Sequence, residues 1–166
     1  AHMNKRTVHK HEIARIGGYA IYLSSLIGSA LFLKADHQIN AIMVAGFIIF
    51  MVGLYDDSHD LSPKVKLIFE VISALIVIVY GEIYIKGFGY FPSDAMTFLS
   101  GVVTLFWIVG ITNAINLIDG LDGLSAGISI IVLVTISMTS LLSGRSDIAS
   151  LSLILAGSIM GFLFFN

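Results

Sequence analysis

No cysteine occurs among the 166 residues. Disulfide frameworks, thiol chemistry and cysteine-based zinc sites are therefore excluded. Charge is scarce as well. Only 12% of residues are Asp, Glu, Lys or Arg, against about 25% in an ordinary soluble domain. A soluble chain with 57% hydrophobic residues and a mean hydropathy of +0.94 could not cover its core with polar surface. The lipid bilayer is thus the first expected partner. A net charge of −2 gives no electrostatic footprint for nucleic acid, and none is expected as a partner. Proline occurs only at Pro63 and Pro92, both in expected connections, where a missing N–H breaks no helix. Low-complexity tracts and long linkers are absent. Ala1-His2-Met3 reads as a cloning remnant, with one membrane domain over 4–166. Residues 4–15 are basic and polar, unlike the apolar core of a cleavable signal peptide.

What is present is a series of long uncharged runs. About 20 apolar residues span a bilayer as a helix. Six such segments are expected, at 16–33, 39–55, 65–85, 95–118, 123–144 and 148–166. The third is interrupted by Lys66, Glu70 and Glu82. Strand alternation is missing, which argues against a barrel. The expected fold class is all-α, a polytopic membrane helical bundle with about six transmembrane helices.

Basic residues orient such a bundle. Lys5, Arg6, Lys10, Arg15, Lys64 and Lys66 fall on the side of the N-terminus, and Lys34, Lys86 and Arg145 on the other. The first side is expected to be cytoplasmic. Parity then brings Asp56, Asp57, Asp60, Asp119 and Asp122 to that same face, beside the basic residues.

Two stretches there could carry chemistry. Asp56-Asp57 are adjacent carboxylates at a helix exit. Such carboxylates repel and raise each other's pKa unless a cation sits near them, and magnesium is commonly held by one or two carboxylates with phosphate oxygens. A solvated turn is the plain alternative. In 113–123, Asn113, Asn116, Asp119 and Asp122 recur every three residues. Residues three apart are neighbours on a helix, so the four form a slanted polar stripe. Helix capping explains Asp119 or Asp122, but not all four. Lys66, one turn into its segment, either points back to the acids or snorkels to the headgroups. His9 and His11 lack the spacing of a metal site. An ion-coupled transporter is the alternative from another class. Its acids belong near mid-membrane, whereas these gather at one edge.

Three segments together resemble one family. They are 56–67 with its aspartate pair, 113–124 with its Asn/Asp-Gly stripe, and the N-terminal loop with Arg6 to Lys10 followed by Arg15-Ile16-Gly17-Gly18. They are similar, in order, to motifs of the polyprenyl-phosphate N-acetylhexosamine-1-phosphate transferases. The branch that resembles them most starts teichoic acid or O-antigen (lipopolysaccharide) synthesis with N-acetylglucosamine; phospho-MurNAc-pentapeptide transferases are more distant. The resemblance implies a reaction at the cytoplasmic face of the bacterial inner membrane. N-acetylglucosamine-1-phosphate passes from a UDP-N-acetylhexosamine to undecaprenyl phosphate, releasing UMP. Magnesium, or manganese in its place, is the implied cofactor. By the same resemblance Asp56, Asp57, Asp119 and Asp122 are catalytic. Lys66, Asn113, Asn116, His9 and Arg15 are implied to bind substrate, and Asn116 with Asp119 to hold the metal. A homodimer is compatible with it. Departures are Ala14 in place of the usual proline and Glu70 in place of a frequent glutamine. The family's first span and its later Gly-Asp-x-Gly-Ser and histidine-bearing elements have no counterpart here. The chain alone is therefore expected to have little or no transferase activity.

Overall fold

The computed structural model describes residues 17–34, 36–85, 94–118 and 123–165. Among the described residues six α-helices follow one another: α1 (Gly17–Phe32), α2 (His37–His59), α3 (Pro63–Leu75), α4 (Asp94–Ile118), α5 (Leu124–Leu142) and α6 (Ser146–Phe165). There is no strand among the described residues. Local chemistry sets the helix starts. Asp36 is extended and accepts a hydrogen bond from the His37 N–H at 2.7 Å, satisfying one of the open donors of a helix N-terminus. Pro63 opens α3 after Ser62, where a missing N–H costs nothing.

Among the described residues, four helices are long and apolar enough to cross a membrane: α2, α5, and the stretches Thr97–Ile118 and Ser146–Phe164. Helix α1 covers 16 described residues, about 24 Å at 1.5 Å per residue, against a hydrocarbon core of about 30 Å. The third expected span differs more. Helix α3 ends after 13 residues and passes into one π-helical turn, Ile76–Tyr80. Residues 81–85 are irregular. Glu82 stands at φ 50°, and the Ile85 N–H leaves the helical ladder to donate to the Thr104 hydroxyl of α4 at 2.8 Å.

The packing inverts that of a soluble protein. Most buried positions are small, among them Ala41, Ala74, Ala149, Ala156, Ser137 and Ser152. Large apolar side chains such as Leu142, Phe106 and Phe98 are exposed. Lipid solvates Leu as well as another Leu does, so membrane helices gain by close approach through small residues. Gly28 of α1 shows the consequence: a Cβ there would lie 2.7 Å from Ile154 Cγ2 of α6. Helices α5 and α6 form an antiparallel pair joined at 143–145, where Gly144 takes the left-handed φ of 72°. Helix α1 packs on α6 and α2, α2 on α3, and α3 on α4; α4 touches α5 more lightly.

This order gathers alternate helix ends at one end of the bundle. The end of α2, the start of α3, the end of α4 and the start of α5 line one cleft. At the same end, Gly17 at the start of α1 lies against Phe162 near the end of α6.

Candidate active site

The site begins where α2 stops. Asp60 takes a left-handed conformation, φ 47° and ψ 70°, and its N–H donates to the Asp56 carbonyl at 3.0 Å. Aspartate tolerates that conformation better than most residues. The Asp56 side chain finishes the reversal. Its Oδ1 accepts the Leu61 N–H at 2.8 Å, and its Oδ2 accepts Lys66 Nζ at 2.5 Å. One carboxylate thus ties the last turn of α2 to the first turn of α3. Lys66 points back to the acids; of its two sequence-level alternatives, snorkelling to the headgroups is not the one adopted. Asp57, the next residue, is exposed and takes no side-chain hydrogen bond among the described residues. One turn of α2 also carries Tyr55 and His59, whose rings stack at 4.2 Å.

The end of α4 forms the opposite wall. Asn113 Nδ2 donates both to the Glu70 carboxylate of α3 and to the Val109 carbonyl, the latter at 2.9 Å. Glu70 is buried, with 8% of its surface exposed. Burying a carboxylate is costly without partners, and the Asn113 amide supplies one. Asn116, one turn on, lines the cleft together with Asp56, Lys66, Glu70, Thr112 and Ser125. The cleft holds about 290 Å³, near the lower limit for small-molecule sites. On the other side of α2 lies an apolar groove of about 490 Å³, lined by Phe47, Met51, Tyr55, Val65 and Phe69. Val52 borders both spaces.

Asp56, Lys66 and Asn116 therefore meet in one cleft, with Asn113 bonded to its wall and Asp57 beside it. His9, Arg15, Asp119 and Asp122 lie outside the described residues. Glu70 is the member that sequence reasoning did not treat as functional. Its signals were a charge inside an apolar segment and a spacing of four from Lys66, which puts both on one helix face. No group of three or more His, Cys, Asp or Glu able to hold a metal occurs among the described residues. The cleft's side-chain acceptors are all oxygens, the donor set a hard divalent cation requires. Those of Asp56 already accept from Leu61 and Lys66, and Glu70 and Asn116 supply the cleft's other carboxylate and amide oxygens.

The family model described as glycosyl transferase family 4 matches residues 39–166. A probable undecaprenyl-phosphate N-acetylglucosaminyl 1-phosphate transferase of Bacillus subtilis is 40% identical over 98% of this chain and 46% of its own length. A phospho-N-acetylmuramoyl-pentapeptide-transferase of Thermoanaerobacter is 30% identical over 98% of this chain and 55% of its own. An undecaprenyl-phosphate alpha-N-acetylglucosaminyl 1-phosphate transferase of Escherichia coli is 26% identical, over 98% and 45% respectively. The chain spans about half the length of these relatives. No solved structure matches. With its apolar helices and its cleft at one end of the bundle, the chain is a multi-pass membrane protein that belongs to glycosyl transferase family 4.

Proposed function

We propose that the chain forms part of an undecaprenyl-phosphate N-acetylglucosamine-1-phosphate transferase, with its site where the two substrates meet. Its site would lie at the cytoplasmic face of the bacterial inner membrane. The observation that carries it is the Asp56–Lys66 pair set opposite Asn116 in one cleft, at the end of apolar helices. Two phosphate-bearing substrates need a cation where they meet, and oxygen ligands to hold a metal. In the reaction, an oxygen of the lipid phosphate attacks the β-phosphorus of UDP-GlcNAc. The bond from that phosphorus to the bridging oxygen breaks, and UMP leaves with the electron pair.

The chain's own residues divide the work. Asp56 holds Lys66 so that its ammonium stays at the cleft wall, ready for a phosphate oxygen. Asp57, whose carboxylate takes no hydrogen bond among the described residues, would orient the acceptor phosphate or take a proton from its monoanionic form. The apolar groove behind Val52 suits a prenyl chain and reaches the acids through Tyr55. Asn116, with Asp119, would hold magnesium. When bound, the ion neutralises charge developing on the transferred phosphoryl group.

The B. subtilis and E. coli relatives favour N-acetylglucosamine; the Thermoanaerobacter relative makes phospho-MurNAc-pentapeptide the competing donor. The test joins this chain in frame to the remaining half of its B. subtilis relative. The joined protein is then given radiolabelled UDP-GlcNAc or UDP-MurNAc-pentapeptide with undecaprenyl phosphate. Label should enter the lipid phase from UDP-GlcNAc. Transfer from the muramoyl donor alone would reverse the substrate assignment, and transfer from neither would reject the function.

A further inference from the structure

Among the described residues, the cleft's lining carries two carboxylates, Asp56 and Glu70, and a single basic side chain, Lys66. That one ammonium is already taken, because Lys66 Nζ donates to Asp56 Oδ2 at 2.5 Å. The two side chains keep 32% and 26% exposure, so an anion entering the cleft can reach the pair.

The partners are not equally free to move. The other Asp56 oxygen accepts the Leu61 N–H at 2.8 Å, which fixes the carboxylate against the reversal between α2 and α3. Lys66 carries its charge on a flexible four-carbon stem. Its ammonium makes no other ion pair or hydrogen bond among the described residues. A phosphate arriving at Lys66 therefore brings negative charge beside a carboxylate that cannot retreat. Like charges within a few ångströms repel, and the ammonium is the part that can turn from one anion to the other.

We propose that Asp56 is a positioning residue that stands in for phosphate: it occupies Lys66 in the empty cleft and yields the ammonium when a substrate phosphate arrives. This rests on the transferase reading above, which supplies the phosphate. That phosphate belongs to the lipid acceptor or to the diphosphate of the nucleotide sugar, and separate binding measurements tell the two apart. Asp56 thus keeps Lys66 at the cleft wall and at the same time competes with the ligand Lys66 is to hold. Removing its charge while keeping the Leu61 bond should tighten binding. A residue needed only for the fold would do the opposite.

Two experiments use the joined protein. The first measures dissociation constants for radiolabelled undecaprenyl phosphate and UDP-GlcNAc by scintillation proximity in mild detergent. Asp56→Asn keeps an acceptor for Leu61 and frees Lys66. It should tighten at least one ligand by about two- to fivefold, the upper figure being the roughly 1 kcal/mol of an ion pair this open to water. The ligand that gains is the one whose phosphate Lys66 holds. Loss of a carboxylate also relieves plain repulsion of phosphate, so Asp56→Asn is made in the Lys66→Met protein as well, closing a double-mutant cycle. There the gain should disappear.

The second experiment treats the unsubstituted protein with a water-soluble carbodiimide. The reagent activates the Asp56 carboxylate, the Lys66 amine attacks its carbonyl carbon, and the carbodiimide leaves as a urea carrying the displaced oxygen. The amide so formed lowers the mass of the segment holding both residues by one water. Empty protein should give this product, and saturation with the ligand that Lys66 holds should suppress it. That measurement decides the matter even if a variant fails to fold.

No tightening of either ligand by Asp56→Asn would overturn the proposal. So would an equal gain with and without Lys66, or an amide yield unchanged when both ligands are saturating. An unsubstituted protein that binds neither ligand would overturn the transferase reading, and this inference with it.

Discussion

Removing the Asp56 side chain should cost more than removing its charge. In the structure Oδ1 accepts the Leu61 N–H at 2.8 Å and Oδ2 accepts Lys66 Nζ at 2.5 Å. A hydrogen bond to a charged group contributes about 1.5–3 kcal/mol. The two side chains retain 26% and 32% exposure, so the lower end applies to the Leu61 bond. An ion pair with that much water contributes at most about 1 kcal/mol. Asp56→Ala loses both and leaves the Leu61 N–H without its partner, a total of about 2–3 kcal/mol. Asp56→Asn keeps an acceptor for Leu61 and loses only the ion pair, about 1 kcal/mol or less. Lys66→Met should match Asp56→Asn, and the double variant should be no worse than either single one. Thermal unfolding of the protein in mild detergent reads these differences. Asp56→Ala should lower the midpoint two to three times as far as Asp56→Asn. Equal shifts for Ala and Asn would refute the role given to the Leu61 bond. Fully additive shifts for Asp56→Asn and Lys66→Met would refute the ion pair.

Other outcomes follow from the packing and the topology. Gly28→Val drives a side chain into Ile154, which a Cβ alone already approaches at 2.7 Å. It should destabilise the α1–α6 contact by about 1–3 kcal/mol, and adding Ile154→Ala should recover most of that in the same unfolding assay. Thr104→Val removes the acceptor of the Ile85 N–H, at about 1–3 kcal/mol for the orphaned donor. Proteolysis between 81 and 85 should then accelerate, while the rest of the chain is cleaved at its former rate. Because the chain has no cysteine, single cysteines report sidedness. Ser58→Cys and Ser125→Cys should react with a membrane-impermeant maleimide from one side, and Ser143→Cys only from the other. Labelling of all three from one side would contradict the alternating helix ends.

Much of the bundle was legible because a long uncharged run has few alternatives. The stretch 95–118 became Asp94–Ile118, and 123–144 became Leu124–Leu142. Segment 39–55 was read short at its far end. Helix α2 continues to His59, since the cap lies in the fold of Asp60 and hydropathy does not report it. The third segment failed as one continuous span. Its carboxylates at 70 and 82 and the glycine at 81 mark a helix that shortens and unwinds, and where it does so depends on Thr104 of α4. Composition also could not choose between the two directions open to Lys66. The choice depends on a reversal that brings residue 66 back to Asp56, which only the three-residue connection 60–62 and Pro63 enforce. The Glu70–Asn113 pair was illegible for a related reason. Each residue was visible as a polar intruder, but their meeting depends on how α3 packs against α4, and no local spacing encodes that.

Release of UMP tests the central claim most directly. The joined protein, supplied with UDP-GlcNAc, undecaprenyl phosphate and magnesium, should release one UMP for each sugar-phosphate found on lipid. The 166-residue chain alone should release little or none. Asp57→Asn and Asn116→Ala in the joined protein should each cut the rate by two orders of magnitude or more without altering its unfolding midpoint. Undiminished UMP release by both variants would show that the cleft between α2, α3 and α4 is not where the transfer occurs.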